Sequence, residues 1–167
     1  MKTLLRFTLL LGILLPAIAP AADFVSKTGK ITIKDLGDWS VKTDELQEDK
    51  RTVVTLTVPG ENMHAEFKHF ELGGFDVDSK VFQDGILNGL EKGGMVITTS
   101  YLGKWEGNLC FKVFATQAVE STTIHILSMS SFFGGNFVTL SVADDNPGVE
   151  GSDAVKHLLN NVVLSED

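Results

Sequence analysis

Cysteine is almost absent from this chain: Cys110 stands alone among 167 residues, so no intrachain disulfide can form and the core must rest on packing. No cysteine lies near residue 22 either, which removes the acceptor for the lipid that anchors many bacterial exported proteins. Basic residues are outnumbered, 14 Lys and Arg against 22 Asp and Glu, for a net charge of −8. That balance opposes phosphate backbones and anionic headgroups, and argues against nucleic-acid and peripheral-membrane roles. It favours cations or basic partners. No serine sits in G-x-S-x-G, and no cysteine and histidine fall in a catalytic pattern. After the first twenty-two residues there is no repeat, low-complexity tract or Pro/Gly/Ser linker.

What is present begins with an export signal. Lys2 and Arg6 precede an apolar run from Phe7 to Leu15, and Ala19-Pro20-Ala21 places small residues at cleavage-site spacing. The run is shorter than the roughly 20 residues a bilayer crossing takes, and Pro16 ends it. The expectation is a signal peptide over 1–22, cleaved near Ala21 or Ala22, and a single α+β domain over 23–167. Periplasmic or secreted release without a stable membrane anchor follows. Losing Lys2 and Arg6 deepens the acidic imbalance by two charges.

Period-2 alternation predicts strands at Lys30–Ile33, Trp39–Val41, Thr52–Val58 and Met63–Leu72, with a charged, turn-rich stretch from Lys42 to Arg51. The period then changes. Phe82, Ile86 and Leu90 recur every four residues between Asp78, a candidate N-cap, and Gly93-Gly94, predicting a helix. Gly85 and Gly89 fall beside that stripe, and close helix-to-sheet approach accounts for them better than a ligand-admitting notch. Hairpins are expected around Glu106-Gly107-Asn108 and Gly134-Gly135. A two-residue turn at Gly134-Gly135 pairs Phe132 with Phe137, Ser131 with Val138, Met129 with Leu140 and Leu127 with Val142. One face is then greasy and the other small and polar, a segregation that a one-residue slip would scramble. Val155, Leu158, Leu159 and Val162 predict a closing helix from about Ser152 to Leu164.

Candidates for chemistry are few. His64 and His69 point to opposite faces of one strand and cannot share a metal. His125 reads as a packed histidine, His157 as a surface pair with Asp153, and Cys110 as inert packing although Lys112 shares its face. Asp144, Asn146 and Glu150 carry oxygen in one loop and are the candidate cation ligands, but the loop departs from the calcium pattern in its acids and glycine. A turn leading into the last helix explains Asn146-Pro147 better. Phe132 and Phe133, at the tip of the last hairpin, are the candidate partner-binding residues. The alternative is that Phe132 stacks on Phe137 beneath a helix. No catalytic residue and no cofactor are expected.

Gly37-Asp38-Trp39 ahead of the acidic stretch, the helix Asp78 to Lys92 running into Met95-Val96-Ile97 and Gly107-Asn108-Leu109, and Gly135-Asn136-Phe137-Val138-Thr139-Leu140 before the closing helix together set an order of elements. In that order the chain resembles the PsbP-like α/β/α sandwich superfamily, which includes DcrB-type exported proteins. The resemblance implies an antiparallel sheet of about seven or eight strands with two helices packed on it. It also implies a non-enzymatic accessory protein that docks onto a larger protein partner in the envelope, and carries no binding residue across. A small-ligand or calcium-binding periplasmic protein is the alternative, and a hydrolase the third reading.

Overall fold

Alternating apolar residues and two short helical stripes build the architecture, described here by a computed structural model over residues 23–47, 51–71, 76–133 and 135–165. The expected leader lies outside these residues. In chain order the elements are β1 (Phe24–Val25), β2 (Ile31–Ile33), β3 (Ser40–Leu46), β4 (Thr52–Thr57), β5 (His64–Phe70) and α1 (Lys80–Lys92). There follow β6 (Val96–Trp105), β7 (Asn108–Val119), β8 (Thr122–Phe133), β9 (Asn136–Asp144), a 3-10 turn (Val149–Gly151), α2 (Asp153–Asn161) and β10 (Val162–Leu164). Seven strands form one antiparallel sheet in the order β3-β4-β5-β9-β8-β7-β6, and β1-β2-β10 form a second, small one.

The β8–β9 register is the one the alternation demands: Phe132 faces Phe137, Met129 faces Leu140 and Leu127 faces Val142. Gly134 lies outside the described residues, while Gly135 holds φ +83°, which glycine adopts without steric cost. On one face of the large sheet Val54, Leu56, Phe67, Leu127, Met129 and Leu140 pack beneath α2 and the small sheet, whose Val155, Leu158, Ile31 and Ile33 are fully buried. Burying each such side chain contributes about 1.5–3 kcal/mol. Trp39 Nε1 donates to the Ala154 carbonyl at 2.9 Å and ties the loop before β3 to α2.

The other face carries α1. Phe82, Ile86 and Leu90 rest on Val77, Phe111, Val113 and Phe132, yet no residue of α1 is fully buried. This helix covers only part of its face.

Four expectations need correction. The stretch from Lys42 is not a turn: β3 runs on to Leu46, paired with β4, because an edge strand with one solvated side tolerates Lys42, Asp44 and Glu45. Ser79, rather than Asp78, caps α1, its Oγ accepting from Phe82 N–H at 3.3 Å. The closing helix stops at Asn161, and Val162–Leu164 becomes a strand antiparallel to β2. Val162 is buried as a strand residue, and an apolar stripe position is expected to be buried in a helix too, so the pattern does not separate the two. Gly85 and Gly89 do not mark close approach, since a Cβ built at either meets nothing within 4 Å.

Candidate functional site

Phe70, Phe137 and Phe132 fall in one cross-strand row on the α1 face, at the end of β5, β9 and β8. Their rings are 5.6 Å (Phe70–Phe137) and 5.1 Å (Phe137–Phe132) apart, the spacing at which aromatic pairs attract. Phe82 of α1 closes over the row, 5.7 Å from Phe132 and edge-on to Phe137 at 5.7 Å. At the far end the Arg51 guanidinium sits 5.3 Å above the Phe70 ring. Beside Phe82 the missing side chain of Gly85 leaves a notch, and the result is an apolar slot of about 370 Å³ lined by Val81, Phe82, Gly85, Ile86, Phe132 and Phe137. Val81, at its rim, is 84% exposed and extends the apolar lining of the slot to solvent.

No protein-family model matches the chain, and no curated protein matches it in sequence. Solved structures do match. Cyanobacterial PsbP (CyanoP) from Synechocystis superposes with a TM-score of 0.57 at 12% identity, over 93% of this chain and 99% of that one. A crystal structure from Bacteroides thetaiotaomicron superposes with a TM-score of 0.58 at 13% identity, over 89% of this chain. This chain spans 50% of the Bacteroides protein's length. The fold is PsbP-like. At these identities the likeness speaks for architecture alone, and the site must be argued from its own residues.

Within the PsbP-like sandwich the two hairpin-tip phenylalanines part company. Phe132 lines the slot, its ring tilted against Phe137 and half covered by α1. Phe133 points the other way, 4% exposed, with its ring edge-on to Trp105 at 5.5 Å. It is core, and the expectation that it docks a partner is corrected, because period-2 alternation puts it with Met129 and Leu127. Phe70, Phe82 and Phe137 are not site candidates by sequence: Phe82 reads as part of the helix stripe, and only the Phe132–Phe137 pairing points to the row.

Of the cation candidates Asp144 and Asn146 meet, while Glu150 is engaged elsewhere. Asp144 is buried and its Oδ1 accepts from Asn146 Nδ2 at 3.4 Å, while the Glu150 carboxylate takes Lys112 Nζ at 3.3 Å. Among the described residues no group of three His, Cys, Asp or Glu could hold a metal ion.

His125 shares a cross-strand row with Thr116 and Asp144, but the Asp144 carboxylate is held by Asn146. His157 reaches Asp35 rather than Asp153, its Nε2 lying 3.2 Å from Asp35 Oδ2, and Asp153 pairs instead with Lys156. His69 is 2% exposed, and burial, followed by the charge of Lys30, lowers its pKa. Burial pushes the Cys110 thiol up to about 11, with Lys112 pulling weakly against it, so the thiolate that reacts is scarce. No helix among the described residues is long and apolar enough to cross a membrane.

Proposed function

We propose that this is an exported, non-enzymatic accessory protein of the cell envelope that docks onto a larger protein partner through the aromatic slot beside α1. The observation that carries it is the slot itself: Phe82, Phe132 and Phe137 converge on open space that Gly85 keeps clear, with Val81 exposed at its rim. A partner's apolar side chain seated there would bury ring faces already held in place, so little ordering cost opposes it. The chain's net charge of −8 draws basic segments, and the matching occupant is an apolar anchor flanked by Lys or Arg. Export rests on the leader, and the accessory role on what the resemblance to PsbP-like proteins implies.

Filling the slot without harming the fold tests this. Gly85→Leu puts a side chain into the notch at a helical position that has room for it. A photo-crosslinker at Val81 should give one dominant protein adduct in the native envelope, and Gly85→Leu should abolish it while the melting temperature holds or rises. The same adduct at equal yield in Gly85→Leu would remove the slot from the account. Mass spectrometry of the mature N-terminus, expected near Ala22, tests export separately.

A further inference from the structure

At the other end of α1 the same sheet face opens into a second, larger concavity of about 600 Å³, within the range of small-molecule sites. Its floor is apolar, from Ile126 and Ala143, both nearly fully buried, and Leu90 and Met95 at the end of α1 form one wall. The opposite wall is β5, where Glu66 and Lys68 face the cavity in direct contact with each other. Both side chains keep about a third of their surface exposed, 37% and 35%, so their charges meet solvent and each other. Thr55 and Ser141 flank Glu66 in one cross-strand row and add hydroxyls to that wall.

An isolated charge on a ligand would gain one member of this pair and repel the other. A ligand with both signs on neighbouring atoms matches both: its carboxylate meets Lys68, its ammonium meets Glu66, and the pair is exchanged for two equivalent contacts. The net gain then comes from the apolar body laid on Ile126, Ala143, Leu90 and Met95. We propose that this trough binds a small zwitterion with an apolar body, the chemistry of an α-amino acid bearing a large apolar side chain. The inference does not rest on the docking reading, since the slot and the trough have no lining residue in common.

Three probes separate the terms: L-phenylalanine, 3-phenylpropionate, which lacks the ammonium, and 2-phenylethylamine, which lacks the carboxylate. Titration of the mature protein with L-phenylalanine, followed by methyl NMR at Ile126 and Met95, should saturate. Each singly charged analogue should bind at least tenfold more weakly. Lys68→Met and Glu66→Gln, both at half-exposed positions that leave the core intact, should each weaken L-phenylalanine by about tenfold. Gly85→Leu should leave its affinity unchanged. No saturable shift with L-phenylalanine at about 10 mM, well past the weak end of small-molecule affinity, would overturn the proposal. Equal binding of all three probes would also overturn it, because the apolar floor alone would then account for the affinity.

Discussion

Replacing Gly85 by alanine isolates one physical term. The residue lies inside α1 with helical neighbours on both sides, and a Cβ placed there meets nothing within 4 Å. No contact is gained and none is strained, so the change reduces to backbone propensity, where alanine is better than glycine by about 1 kcal/mol in a helix interior. For a chain of this size about 1 kcal/mol raises the melting temperature by roughly 3 °C. Gly89→Ala meets equally open space, and the double variant should gain about 2 kcal/mol. Circular dichroism melts at neutral pH read all three proteins directly. A lower melting temperature for Gly85→Ala would mean that α1 sits tighter on the sheet than described, and the slot would close with it.

Gly37→Ala should move the other way: its φ is +54°, and a Cβ there would come within 2.7 Å of His157 Cδ2. The left-handed backbone alone costs about 1–2 kcal/mol, readable as a lower urea midpoint, and an unchanged midpoint would refute the left-handed conformation at Gly37. His69 predicts acid sensitivity. Its folded pKa lies below the ordinary 6.5, so the unfolded chain takes up a proton that the folded chain refuses. The stability it contributes is therefore complete above pH 6.5 and is lost as the pH falls from there toward the folded value, by at most about 1.4 kcal/mol per pH unit. His69→Met should flatten the melting-temperature profile between pH 7 and pH 5, and parallel profiles would count against this account. Ser152→Ala removes the side-chain acceptor of Val155 N–H at the start of α2 and should cost about 1 kcal/mol, measured by denaturant unfolding. Cys110 should resist a thiol reagent in the native protein and react at the unfolding rate, whereas stoichiometric labelling within seconds would contradict its burial.

The β8–β9 hairpin shows how far local pattern reaches. Phe132, Phe137, Met129 and Leu140 could be paired in advance because a shift of one residue would send every apolar side chain to the wrong face. The same alternation already placed Phe133 with Met129, yet a hairpin tip can overhang its sheet, and the Trp105 ring that covers Phe133 comes from a different hairpin. Gly85 departs from expectation for a related reason. A glycine on a helix face is compatible with contact or with a gap, and only the position of the neighbouring sheet distinguishes them. The aromatic row also needed β5 brought beside β9, which set Phe70 against Phe137. At the chain's end, Val162–Leu164 satisfied a helical stripe and a strand equally until β2 offered a free edge.

Short-range rules, alternation along each strand, four-residue spacing along each helix and glycine at the turns, determined from the sequence alone the α+β class, the antiparallel hairpins and the order of elements in which the chain resembles PsbP-like proteins. They operate within a few residues and need no knowledge of distant neighbours. Only the tertiary structure decided which parts of the second face α1 would leave open, that Trp105 would cover Phe133 while Phe132 lines a slot, and that Glu66 and Lys68 would border an apolar trough. Those features depend on side chains from separate elements meeting in space, and no local period encodes the distance between them.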